Sequence, residues 1–138
     1  MSIFDLTSPR ATDDARVFDL LAYEEAGLRL PDLSAVQARY HLSDATVASI
    51  IGVNVRTLQR RKRSGGRLSA HESSALLEAM SVLRAGESVF GDAARYVRWL
   101  ERRHPGLNDR SPKSLLAFAA GRIAVRDMLG RIEWGVHG

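Results

Sequence analysis

Arg56, Arg60 and Arg63 stand four and three residues apart, a spacing that puts three guanidinium groups on one face of a helix turning about 100° per residue. Each guanidinium is a planar, permanently charged fork that can bridge O6 and N7 of a guanine or grip a phosphate. Thr57 and Gln59 flank the stripe with short hydrogen-bonding side chains, while Arg61, Lys62 and Arg67 lie off it, where a positive charge suits the DNA backbone. These residue types in this pattern point to a duplex reader, with Arg56, Thr57, Gln59, Arg60, Arg61 and Arg63 as candidate DNA-binding residues.

The charge distribution agrees. The 138-residue chain has a formal net charge of +4, but the excess is local. Residues 44–68 hold six basic side chains against Asp44 alone, residues 1–43 are acidic on balance, and residues 69–138 hold ten basic and eight acidic. Of the twenty basic residues only Lys62 and Lys113 are lysine. A charge run is most simply a solvated helix face. Here the residues before it favour recognition, because they form a helix, a tight turn and a second helix.

In the run from Ser43 to Arg61, Ala48 is small where two helices must cross, Gly52 can take a positive φ in the turn, and Asn54 can cap the helix that follows. Val47, Ile51, Val53 and Leu58 supply the apolar contact between them. This is the layout of a helix-turn-helix. One such unit reads little DNA, so a homodimer placing two recognition helices about 34 Å apart is the expected working form on operator DNA.

The other periodic segments also have helical spacing, with no alternation that would mark strands, so the expected fold is all-α. Asp13 to Ala26 forms a first helix with Val17, Leu20, Leu21 and Phe18 toward one side, and Ser34 to Tyr40 a second. Helices over 44–51 and 54–63 follow, closed by Gly65 and Gly66. Ser69 and Glu72 have capping-box spacing before Leu76, Leu77, Met80 and Leu83. Gly86 marks a boundary, after which Phe90, Ala94, Val97, Trp99 and Leu100 make a helix stopped near His104, Pro105 and Gly106. Ser111 and Pro112 cap and open a short helix. Gly121 interrupts it, and a last helix from Arg122 to Glu133 buries Ile123 or Val125, with Met128, Leu129 and Ile132. The expected division is an N-terminal helical segment over 1–33, a helix-turn-helix part over 34–85, and a small helical domain over 86–138, joined by the long helix.

Catalysis is not expected. His41, His71, His104 and His137 are scattered, no pair has metal-ligand spacing on one helix, and no glycine-rich phosphate loop follows a strand. The acid pairs Asp13–Asp14 and Glu24–Glu25 point to different helix faces. With no cysteine there is no disulfide framework or thiolate site. No metal, cofactor or small-molecule substrate is implied. No apolar run approaches the roughly 18 residues of a bilayer span, and Met1 to Arg10 lacks the pattern of a leader, so a cytoplasmic protein is expected.

The C-terminal half carries a further signal. Gly91 to Leu100, Pro105 to Leu116 and Gly121 to Val136 resemble the toxin-binding domain of Xre/MbcA/ParS antitoxins. The shared pattern is Ala and Trp-Leu on a helix, Pro and Leu before a Ser-Pro-x-x-Leu-Leu box, and Leu-x-Arg-Ile-Glu-x-Gly at the end. Residues 43–77 are similar to the helix-turn-helix of the same family, so the resemblance spans about 34–138. Asn108–Asp109 stand where that family often has a glycine-rich turn. The resemblance implies an antitoxin and autorepressor paired with a RES-domain toxin that destroys NAD, the antitoxin's C-terminal region covering the toxin's active-site cleft. It places the covering elements at Arg131, Glu133, Trp134, Val136, His137 and Gly138. Read from the residues alone, Trp99 belongs to a core and Trp134 either folds back on the last helix or anchors a partner. Two other classes stay open: a toxin-free regulator whose C-terminal domain oligomerises, and an adaptor without DNA binding.

Overall fold

The long helix predicted after the capping box is the axis of the molecule. In the computed structural model, which describes residues 3–8 and 14–135, helix α6 (Ala70–Phe90) opens with Ser69 Oγ accepting from the Glu72 N–H at 3.1 Å and the Glu72 carboxylate accepting from the Ser69 N–H at 2.8 Å. Leu76, Leu77, Ala79, Met80, Val82 and Leu83 are all buried. Consecutive buried positions mean that α6 is enclosed on several sides rather than laid on one face.

Six helices accompany it as main packing elements: α2 (Asp14–Ala26), α3 (Leu30–Tyr40), α4 (Asp44–Ile51) and α5 (Val55–Ser64) before it, α7 (Ala93–Glu101) and α9 (Ala119–Glu133) after it. The short α1 (Ile3–Leu6), a 3-10 turn at Pro105–Leu107 and α8 (Pro112–Leu115) complete the order. α6 packs against α2 and α4 from the first half and against α7 and α9 from the second. Their buried side chains form one continuous cluster. Among the described residues the fold is all-α, its β content limited to isolated antiparallel bridges between Arg29 and Arg67 and between His104 and Arg110.

Two glycines read as breaks turn out to be contacts. α6 runs through Gly86 to Phe90, and Gly86 is buried under the Tyr96 ring, which a Cβ there would overlap. Gly121 lies inside α9, which starts at Ala119, where a Cβ would overlap the Leu115 carbonyl. Close helix approach, not chain interruption, explains both. The predicted inward face of α2 also changes. Val17, Phe18 and Leu21 are 56%, 69% and 46% exposed, while Leu20 and Tyr23 pack on the core. Tyr23 Oη donates to Asp32 Oδ2 at 2.5 Å, which fixes the rotation of α2 about its axis. Burial and that neighbouring carboxylate push the Tyr23 phenol up to about 12. Asp13, the expected first residue of this helix, lies outside the described residues. Of the alternatives on α9, Val125 is buried and Ile123 is 64% exposed.

Buried and half-buried polar contacts tie distant parts of the chain together. The Leu28 N–H donates to Ser73 Oγ at 2.8 Å inside the core, and the Leu68 N–H to the Leu28 carbonyl at 2.8 Å. On α6, Glu87 accepts from Arg39 at 2.6 Å, Tyr40 at 2.7 Å and Arg84 at 3.0 Å. Burial alone would raise the Glu87 carboxyl, but the Arg39 and Tyr40 hydrogen bonds hold it below its usual range. Burial and the same carboxylate raise the Tyr40 phenol. Tyr96 on α7 donates to the Leu83 carbonyl at 2.7 Å and stands edge-on to Tyr40.

Candidate nucleic-acid interface

Each junction of the α4–α5 unit is made by the residue type that its backbone requires. Ser43 caps α4, its Oγ accepting from the Thr46 N–H at 3.1 Å. Gly52 ends α4 at φ +79°, the left-handed region where a side chain would be strained, and its N–H donates to the Ala48 carbonyl at 2.9 Å. Asn54 Oδ1 then accepts from the Thr57 N–H at 2.8 Å, starting α5 two residues after the turn. Val47, Ala48 and Ile51 are buried, and Leu58 is the buried residue of α5, at 0% exposure.

With Leu58 inward, Arg56, Gln59, Arg60 and Arg63 are exposed and Thr57 is half-buried under its cap. The guanidinium groups of Arg56, Arg60 and Arg63 have no hydrogen-bond or ion-pair partner among the described residues. Gln59 makes one long contact, to Asp44 Oδ2 at 3.5 Å. The basic residues off the stripe differ. Arg61 donates to both carboxylate oxygens of Glu72 at 2.8 and 2.9 Å. Lys62 binds Asp44 Oδ1 at 2.6 Å and also the Gln37 side chain, and Arg67 donates to the Gly27 carbonyl at 2.8 Å. Sequence spacing offered these three to phosphates; the fold gives each an internal partner. Hydrogen bonds from Lys62 and then Gln37 lower the Asp44 carboxyl. Glu72 is lowered too, since the Ser69 backbone and Arg61 outweigh its burial. Charged residues flanking the stripe thus lock α5 to α3, α4 and α6, leaving three arginines to reach outward.

The second candidate region is the end of α9. Trp134 is 82% exposed and does not fold back, and Arg131 and Glu133 beside it are exposed. Arg131 and Trp134 line an open hollow with Arg126, Asp127 and Gly130. Val136, His137 and Gly138 lie outside the described residues. Trp99, by contrast, packs in an aromatic cluster with Phe90 at 5.2 Å, Tyr96 at 6.1 Å and His104 at 5.2 Å. Asn108 and Asp109, in place of a glycine-rich turn, both adopt positive φ, 57° and 59°, which short polar side chains tolerate best after glycine. Sequence reasoning missed the exposed Phe118, 59% exposed, and the Glu87 hub. An apolar residue followed by a helix start carries no sign of exposure, and Glu87 meets α3 across 47 residues of chain.

Comparison with known proteins gives two matches along the chain. Residues 85–135 match the antitoxin Xre/MbcA/ParS C-terminal toxin-binding domain, and residues 19–80 match the antitoxin Xre-like helix-turn-helix domain, which reaches back into α2. The chain is 30% identical over 111 residues to antitoxin Xre of Yersinia enterocolitica, covering 80% of this chain and 75% of that protein. It is 27% identical over 111 residues to antitoxin Xre of Photorhabdus laumondii, with the same coverage of 80% and 75%. Antitoxin Xre of Pseudomonas putida is 29% identical over 83 residues, 60% of this chain and 52% of that protein.

Proposed function

The chain belongs to the antitoxin Xre family, and from that premise we propose that it neutralises a RES-domain, NAD-degrading toxin and represses its own operon. The observation that carries the toxin half is Trp134: a tryptophan 82% exposed, next to Glu133 and close to Arg131, at the end of the toxin-binding match. A large exposed aromatic beside Arg131 and Glu133 is the composition of an interface anchor with a charged rim. In this reading the last turn of α9 and the tail through Val136, His137 and Gly138 cover the toxin's cleft. The Arg131 guanidinium and the Glu133 carboxylate offer contacts to a pocket shaped for a dinucleotide with anionic and cationic ends.

The repressor half rests on α5. Arg56, Thr57, Gln59, Arg60 and Arg63 face the major groove, where arginine reads guanine. Arg61 serves by fixing the pose of α5 through Glu72, not by direct contact. The working form is a homodimer in the cytoplasm. Among the described residues no helix is long and apolar enough to cross a membrane, and the exposed Val17, Phe18 and Leu21 of α2 supply an apolar face for a second copy. Replacing Phe18 by Asp is expected to shift the protein to monomers in sedimentation experiments and to weaken operator binding.

The deciding experiment follows NAD and growth in cells expressing a RES toxin encoded beside this gene, with and without the protein. NAD collapse with toxin alone and recovery on co-expression supports the proposal. No effect, with no co-purification, replaces it by a toxin-free regulator whose C-terminal half oligomerises.

A further inference from the structure

The arginines of this protein divide into two groups. One fastens the fold: Arg39 to Glu87, Arg61 to Glu72, Arg84 to Glu87 and Arg122 to Glu78 are ion pairs of 2.6 to 3.0 Å. The guanidinium groups of the other have no hydrogen-bond or ion-pair partner among the described residues, and beyond the α5 stripe they gather at one further place. Arg98 on α7, Arg102 and Arg103 just past its end, and Arg110 are exposed and unpaired. The His104 N–H donates to the Arg110 carbonyl at 3.2 Å in an antiparallel bridge, which brings Arg110 alongside the end of α7. The acids within this stretch are Glu101, which Lys113 engages at 3.3 Å, and Asp109.

This patch is tied to the helix-turn-helix. Lys113 Nζ donates both to Glu101 Oε1 and to the His41 carbonyl, at 3.1 Å, so a single ammonium holds the end of α7 against the turn that leads into α4. Lys113 and Ser114 also line a shared groove with Ala45, Thr46 and Ser49 on the outer side of α4. In helix-turn-helix docking the second helix enters the groove while the first crosses the sugar–phosphate backbone. The patch therefore flanks the helix that meets phosphates, and it carries the same sign of charge as the reading helix.

We infer that Arg102, Arg103 and Arg110 contact the DNA backbone beside the half-site read by α5, so that the toxin-binding half extends the DNA footprint. The inference rests on α4–α5 docking to DNA as proposed above. It makes the C-terminal half a positioning surface: guanidinium groups on phosphates add affinity without sequence preference.

The test titrates the full-length chain with a duplex of its own promoter region and a random duplex of equal length, across a range of salt concentrations. The variants are R102A/R103A/R110A, the corresponding triple lysine variant, and R60A. The triple alanine variant is expected to lose affinity for both duplexes by a similar factor. Its slope of log K against log salt becomes shallower by roughly 0.9 per lost phosphate contact, about 2 to 3 in all. The lysine variant keeps the slope, since a point charge suffices for a phosphate. Melting temperatures stay at the wild-type value, because these side chains have no internal partner to lose. Weakened promoter binding by R60A with none by the triple alanine variant overturns the second contact alone; no loss by either overturns the docking of α5 as well. A triple alanine variant that binds DNA normally but loses toxin also overturns the inference, and assigns the patch to an acidic protein surface.

Discussion

The reading helix α5 and the last helix α9 both present arginine to solvent, and they are held in opposite ways. α5 is fixed at its start by Asn54, along its length by Leu58, and at its flanks by Arg61–Glu72 and Lys62–Asp44. α9 is anchored along its length by the buried Val125 and Leu129 and by Arg122–Glu78. It begins at Phe118 without a side-chain cap, however, and its last turn, with no ion pair among the described residues, closes on an exposed Trp134. A helix that must match the pitch of DNA needs its side chains pre-placed, since misdirected guanidinium groups lose bidentate geometry. In the proposed reading the end of α9 meets a partner protein, and an exposed aromatic such as Trp134 suits an interface anchor.

The largest effect that would break this comparison is removal of residues 134–138. Neutralisation should vanish while promoter binding is unchanged, as read by survival of toxin-expressing cells and by electrophoretic shift; full protection by the shortened chain would show that the tail is dispensable. Next, Leu58→Ala removes the one buried side chain of α5 and should lower unfolding stability by about 2–5 kcal/mol in urea titrations. Promoter binding should fall with it, and a variant as stable as wild type would mean that α5 is held by its ion pairs alone. Arg60→Ala should cost about 1–3 kcal/mol of promoter affinity if the side chain reads a base, with toxin neutralisation intact.

The smallest effect is nil at neutral pH and appears in acid. Asp44 and Glu72 have folded-state values below their ordinary 3.8 and 4.5. A carboxyl lowered on folding contributes stability above its unfolded value and loses it as pH falls through the lowered one. The lock on α5 should therefore weaken progressively below about pH 4.5, the ordinary Glu72 value. Amide exchange resolved along the chain would show α5 opening before α9, whose carboxyls hold no arginine or lysine of α5. Simultaneous opening of both would mean that the shared core, not the ion pairs, governs the pose.

What could be read ahead of the fold was local. Ser43, Gly52, Asn54 and the Ser69–Glu72 box act within four residues of themselves, so the α4–α5 unit and the start of α6 follow from residue type and spacing. Val17 and Leu21 were misplaced because periodicity shows that a helix has an apolar side but not which part of it meets a neighbour. Tyr23 and Asp32, nine residues apart, settled that. Ser111 and Pro112 capped and opened α8 as their order suggests.

The sequence by itself determined an all-helical fold, the turn geometry of its reading unit and the concentration of positive charge on α5, because caps, turns and helical periods are short-range properties. Only the tertiary structure decided which arginines remain available. Arg60 and Arg61 are neighbours of the same chemistry, yet one faces solvent and the other closes on Glu72. It also turned Gly86 and Gly121 from apparent breaks into contact points and joined the two halves through Glu87. These outcomes depend on side chains brought together from distant parts of the chain, and a charge or a glycine has no fixed role until its neighbour in space is known.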